Sequence, residues 1–231
     1  MSTAEAWDAA EFEARMRAVP AARYHHLHPF NMRMHAGDLN RDEIRGWILN
    51  RFHYQRHIPI KDALILSKLD SAELRRSWIR RLHDHDGTRE GEGGIERWLR
   101  LGEAAGLDRE LLLSGEGVLP GVRLAVEGYV GLCRLGSPLE AVAASLTELF
   151  APDIMRTRIA AFERHYQWVA SDGLTYFKNR VPQGSRDGVE ALALVLSWAD
   201  GRAEQERAVA ALSFKCDVLW SLLDAVERAY R

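Results

Sequence analysis

A chain of 231 residues is long enough to bury most of the surface its unfolded form exposes, so a sizeable core is expected. Its 31 basic and 33 acidic side chains leave a net charge of −2, which gives no electrostatic footprint for a nucleic acid. With 47% hydrophobic and 28% charged residues the composition is globular, and the densest apolar stretch, residues 191–199, is far too short to span a bilayer, which excludes a membrane protein. Residues 1–19 have neither a basic n-region nor an apolar h-region. The two cysteines, Cys133 and Cys216, are too few for a disulfide framework. Both features point to the cytoplasm, with the thiols in the core.

Apolar positions recur three and four apart nearly everywhere, and helix caps supply the punctuation, so the chain reads as all-α. A first helix covers 5–19 and stops at Pro20; a second runs over 29–37. Asn40 caps a long helix to Lys68, bent at Pro59, where a backbone hydrogen bond is lost. Ser71 caps a helix to Asp86, and 87–94 (GTREGEGG) is a glycine-rich loop, a lid or a surface connection. Helices follow over 95–105, 108–113 and 120–135, and then to Phe150 behind Ser137 as cap with Pro138 at the first helical position. The spacing predicts four more, over 154–170, 174–181, 186–199 and 203–230. No repeat or long linker divides residues 1–231, which are expected to form a single compact helical bundle.

Polar side chains that interrupt apolar stripes mark candidate function, because burying such a group without a partner costs roughly 1–3 kcal/mol or more. Lys215 lies in line with Ala208, Leu212, Leu219, Leu222 and Val226. Arg51 and Gln55 interrupt a stripe of Ile44, Ile48 and Ile58, flanked by Tyr54, and His85 ends the stripe Leu74, Trp78, Leu82. Tyr176 and Arg180 share a helical face, and Arg158 follows Met155 by three positions. Glu148 sits among Ala141, Ala144 and Ser145, while Tyr24 and His25 precede Pro29. Taken singly, these are a snorkelling lysine, structural ion pairs and a capping histidine. Together, Arg51, Arg158, Arg180 and Lys215 face one obvious acid, Glu148, and that excess of positive charge calls for an anionic ligand, a small polycarboxylate or phosphate compound.

A metal would compete for the same histidines. His83 and His85 do not share a helix face, and no carboxylate pattern supports His53 and His57, so no catalytic metal is expected. No dinucleotide fingerprint, P-loop or G-x-S-x-G occurs.

The runs RYHHLHPFN (23–31), NRFHYQRHIPIKDA (50–63), HDHDG (83–87), SLTELFAP (145–152), TYFKNR (175–180) and FKCDVLW (214–220) resemble the pyrroloquinoline-quinone synthase family in order and spacing along nearly the whole chain. The resemblance implies a haem-oxygenase-like helical fold, a homodimer, and a cofactorless oxidase that completes pyrroloquinoline quinone, its product. The implied reaction closes a ring in 3a-(2-amino-2-carboxyethyl)-4,5-dioxo-hexahydroquinoline-7,9-dicarboxylate. It then removes eight electrons with molecular oxygen, releasing hydrogen peroxide. On this reading Arg51, Arg158, Lys215 and Arg180 pair with substrate carboxylates, and Tyr24, His25, Tyr54, Gln55, Tyr129 and Glu148 orient the ring. His85 is the candidate general base or acid. Tyr176 and Arg180 lie where oxygen and peroxide are held, and Lys215 belongs with this catalytic group.

The sequence departs from the family pattern at Met155, where the pattern has histidine. A thioether is a weak acceptor and carries no proton, so binding should survive while oxidation slows. Other uses of the same fold are a thiaminase-like hydrolase, which needs an activated cysteine, a non-catalytic protein that binds the intermediate or product, and a di-iron oxidase.

Overall fold

The computed structural model describes residues 5–231, and among them there are helices and no strand. Residues 1–4, included in the single-domain reading, lie outside the described residues. In chain order the helices are α1 (Ala9–Arg23), α2 (Pro29–Ala36), α3 (Arg41–Leu66), α4 (Ala72–Asp86), α5 (Gly93–Ala104), α6 (Arg109–Ser114), α7 (Pro120–Leu135), α8 (Pro138–Ala144), α9 (Ala151–His165), α10 (Thr175–Trp198) and α11 (Arg202–Tyr230). Short 3₁₀ segments occupy His25–Leu27, Ser145–Leu149 and Ser171–Leu174.

Two long helices organise the bundle. α3 packs against α4, α5, α7 and α11, and α11 packs in turn against α1, α7 and α8, while α10 lies along α9 and the Ser145–Leu149 segment. Local chemistry fixes where these helices begin. Asn40 and Glu43 form a reciprocal capping box at α3, as do Ser137 and Glu140 at α8. Trp47, Trp98, Phe162 and Phe177 build an aromatic core between α3, α5, α9 and α10, with Trp47 and Trp98 edge to face at 5.5 Å. Both cysteines are buried and unpaired. No described helix is long and apolar enough to cross a membrane.

Expected helix boundaries are corrected in four places. α1 starts at Ala9, where Asp8 accepts the Glu11 amide, and runs through a buried Pro20 to Arg23; Pro20 costs only the bond its own nitrogen would make, and its carbonyl still accepts from Tyr24. The helix expected to reach Phe150 tightens into a 3₁₀ segment at Ser145, whose hydroxyl bonds the Val142 carbonyl. α9 takes Pro152 into its first turn and stops at His165 rather than 170. The two helices expected over 174–181 and 186–199 are one, α10, which passes through Pro182. Ion pairs on both sides of that proline, Arg180 with Glu148 and Arg186 with Asp84, hold the helix against its neighbours.

Gly37 ends α2 in the left-handed region at φ 86°, and a Cβ there would lie 2.5 Å from the His165 ring. Gly37→Ala therefore meets both backbone strain and a clash, and should cost about 2 kcal/mol or more in urea denaturation.

Candidate functional site

The middle of α3 supplies the floor of the site because its period of 3.6 brings Arg51, Tyr54, Gln55 and Ile58 to one face. Opposite them stand Tyr24, Glu148, Met155, Tyr176 and Arg180, around an internal cavity of about 30 Å³. That volume holds about one water, so any larger ligand must part these walls. Larger grooves of about 440 and 510 Å³ lie at the surface, near Trp198 and near Asp224. Chemistry, rather than size, singles out the inner cavity.

The cations divide into two kinds. Arg180 is neutralised in place, hydrogen-bonded to Glu148 and 3.7 Å from Asp187. Arg51, Arg158 and Lys215 are equally buried, yet none has a carboxylate within 4 Å among the described residues. Arg51 lies 4.0 Å over the Tyr54 ring. Arg158 sits between the rings of Trp47 and Phe177 and donates to Asn31 Oδ1 at 3.2 Å. Lys215 is 1% exposed and hydrogen-bonds only to Tyr54 Oη, with the Tyr129 ring 3.7 Å away. The snorkelling alternative for Lys215 is thus corrected, because its ammonium end is inside.

Electrostatics follow from this crowding. Burial, then Arg51 and Lys61, push Lys215 well below the usual lysine range. Burial and Arg51 lower Arg158 to about 9. Burial lowers His25 and His85 well below the histidine range, reinforced by Arg51 at His25 and by Arg180 at His85, so both rings are neutral at pH 7. Burial also raises Tyr24, Tyr54, Tyr129 and Tyr176, which stay protonated. At Glu148 burial alone would raise the carboxyl, but Arg180, Lys61 and Arg81 outweigh it and hold it at about 2.

That depression has a measurable consequence. A carboxylate lowered from 4.5 to about 2 contributes stability that is complete above pH 4.5 and lost as pH falls towards 2. Glu148→Gln should flatten the stability profile across that window by on the order of 3 kcal/mol, read from denaturant melts at stepped pH.

His85, in the last turn of α4, has a buried Nδ1 with no hydrogen-bond partner among the described residues. The glycine-rich loop packs onto it: Gly87 and Gly93 take positive φ, and a Cβ on Gly94 would lie 3.1 Å from His85 Nδ1 and 3.4 Å from Tyr176. Tyr176 in turn donates to Gln55 Oε1 at 2.9 Å. His25 is fixed by Asn31, whose amide donates to the His25 carbonyl at 2.7 Å and lies 3.3 Å from its Nδ1. Met155 is buried in the cavity wall with its sulfur 4.0 Å from the Arg158 guanidinium. Eight of the thirteen candidate residues line this cavity, while His25, His85, Tyr129, Arg158 and Lys215 do not and are buried behind it.

Sequence reasoning missed part of the setting. Glu148 is not the only acid: Asp187 is buried beside Arg81, Arg180 and Arg186, and Asp62 pairs with Lys61 and accepts from Trp78. Lys61 was findable as one of only four lysines, one turn after Ile58 on the site face of α3. Asn31 carried no comparable signal. Among the described residues no group of three or more His, Cys, Asp or Glu is arranged to hold a metal ion.

Residues 13–225 match the model of the TENA/THI-4/PQQC family. The chain is 53% identical over 220 residues to a pyrroloquinoline-quinone synthase of Granulibacter bethesdensis, covering 95% of this chain and 86% of that one. It is 50% identical over 226 residues to that of Pseudomonas aeruginosa, covering 97% and 90%. Among solved structures, a TenA homologue from P. horikoshii superposes with TM-score 0.74 at 14% identity, covering 94% and 98% of the two chains. A domain with a haem-oxygenase-like fold from Shewanella denitrificans gives 0.73 at 15%, covering 96% and 90%. The two structures establish the fold as haem-oxygenase-like.

Proposed function

The chain belongs to the TENA/THI-4/PQQC family, and from that premise and its unpaired buried cations we propose that it acts as an oxidoreductase in pyrroloquinoline quinone biosynthesis. The substrate in this reading is the bicyclic tricarboxylate named above, and the reaction is its ring closure and eight-electron oxidation by molecular oxygen, with release of hydrogen peroxide and without metal or added cofactor. The observation that carries the reading is the pair Arg51 and Arg158, two buried guanidinium groups with no carboxylate within 4 Å among the described residues. A ligand carrying carboxylates supplies the missing counter-charges.

The residues then divide the work. Arg51 and Arg158 hold carboxylates, Lys215 stands with Tyr54 beside the ring, and Tyr24, His25, Tyr54, Gln55, Tyr129 and Glu148 orient the ring by hydrogen bonds. Neutral His85, with its bare buried nitrogen, removes protons from the ring as it is oxidised. Each two-electron oxidation passes its electrons to oxygen, and Arg180 with the Tyr176 hydroxyl stabilises the reduced oxygen species. The working unit in this proposal is a cytoplasmic homodimer. Leu124 and Leu135, 76% and 86% exposed on α7, and Phe214 lying against Gly128 between them, support such an interface.

A second reading, a protein that binds the intermediate or product without turnover, is favoured by Met155 alone. A thiaminase-like hydrolysis is disfavoured by the cysteines, because burial pushes both thiols up to about 11, away from the thiolate a nucleophile requires.

The deciding experiment mixes metal-stripped protein with the bicyclic quinone substrate, first without oxygen and then with it, following the absorption spectrum. Appearance of the mature quinone only with oxygen is the expected result. A spectral shift on binding that halts at an intermediate supports the binder, and no shift at all rejects the proposal.

A further inference from the structure

A buried lysine ordinarily keeps its charge through a carboxylate, water or several carbonyl acceptors. Among the described residues Lys215 has neither a carboxylate nor a carbonyl acceptor. Among the described residues its one hydrogen bond is to Tyr54 Oη at 2.5 Å, and two phenol ring faces lie close, Tyr54 at 4.2 Å and Tyr129 at 3.7 Å. The titratable groups that act on it from the neighbouring helices are Arg51 and Lys61 on α3, Cys133 on α7 and Glu148 on the 3₁₀ segment. Glu148 is committed to Arg180, and the Cys133 thiol is protonated. The ring faces favour a cation only weakly against the loss of its hydration and the repulsion of two like charges. What remains at the amine is a lone pair beside a hydroxyl that can exchange a proton with it.

We infer that Lys215 is a carbonyl-trapping amine, which forms a reversible imine with a ligand bearing an aldehyde or quinone carbonyl. The position favours this chemistry, since Tyr54 lines the cavity and also holds Nζ, so a carbonyl oxygen that hydrogen-bonds to Tyr54 Oη shares that hydroxyl with the amine. In the first step the C–N bond forms as the carbonyl π pair moves to oxygen, and one amine proton passes to that oxygen through the Tyr54 hydroxyl. The carbinolamine then loses water to give the imine. No electron is gained or lost, and water reverses both steps. A dicarbonyl ligand held in this way cannot leave between successive oxidations. The inference rests on the proposed function for the identity of the natural carbonyl, a quinone, but not for the reactivity of the amine.

The test uses pyridoxal 5′-phosphate, an anionic aromatic aldehyde, with cyanoborohydride to fix any imine and peptide mass spectrometry to locate it. Only Lys61, Lys68, Lys178 and Lys215 can react besides the amino terminus, so the map is unambiguous. Lys61, held by Asp62 at 2.6 Å, is an internal control, and Lys178 reports surface background. The expected result is an adduct on the Lys215 peptide, heavier by the probe less one oxygen atom, reduced at least about tenfold by excess pyrroloquinoline quinone. If the quinone binds, as seen in its own absorption, while Lys215 stays unlabelled, the imine is overturned and the proposed function stands. If Lys215 is labelled and the quinone neither binds nor protects, the amine chemistry stands and the proposed function falls.

Discussion

Met155→His raises the rate of the oxygen-dependent step by about one to two orders of magnitude, with ligand affinity changed by no more than about twofold. A positioned general acid or base contributes typically 10²–10⁴-fold, and a thioether contributes none of it. The side chain at 155 stands in the cavity wall with Tyr176 and Arg180, where reduced oxygen would be held in the proposed reaction. Burial and the nearby guanidinium of Arg158 would keep an introduced imidazole neutral, ready to accept a proton at pH 7. Anaerobic binding followed by mixing with oxygen in a stopped-flow spectrometer separates the two quantities. An unchanged oxygen-dependent rate with intact binding removes Met155 from the account of catalysis.

Arg51→Met gives the opposite pattern, a weaker site in a protein at least as stable. The guanidinium is buried over the Tyr54 ring without an acid, and it disfavours the charged forms of both Arg158 and Lys215. An apolar side chain of similar length removes that repulsion and needs no counter-ion, so the free protein should match or exceed the parent by about 1 kcal/mol in urea. Ligand affinity should fall about 10- to 100-fold, the worth of one charge-assisted hydrogen bond of roughly 1.5–3 kcal/mol. Loss of stability together with unchanged affinity would show Arg51 to be a structural residue.

The sequence displayed the parts of this molecule that are decided locally. Capping boxes at Asn40 and Ser137 need only four consecutive residues, so α3 and α8 start where expected. Lys215, Arg51 and His85 were visible because each interrupts an apolar stripe, and a stripe records burial whatever the partner helix is. Asp187 was hidden for the converse reason. Its segment read as a separate helix after Pro182, whereas ion pairs to α4 and to the 3₁₀ segment carry α10 through that proline. Arg81 lies on the buried face of α4 between Trp78 and His85, over the Trp78 ring at 3.8 Å, and its guanidinium donates to the Asp187 carbonyl, 106 positions away, at 2.6 Å. Asn31 closes the matching run 23–31, but its part in holding Arg158 depends on a partner 127 positions later.

The bond between Lys215 and Tyr54 joins residues 161 apart, and the pairing of His28 with Asp224 spans 196. Closing a loop of that length costs about 4–5 kcal/mol of chain entropy before any contact returns it. Docking of α11 against α1, α3, α7 and α8 is accordingly expected late in folding, since it covers apolar flanks of all four helices. Refolding should therefore show a late phase in which Lys215 joins its tyrosines, and the chain competes with aggregation for as long as that phase lasts.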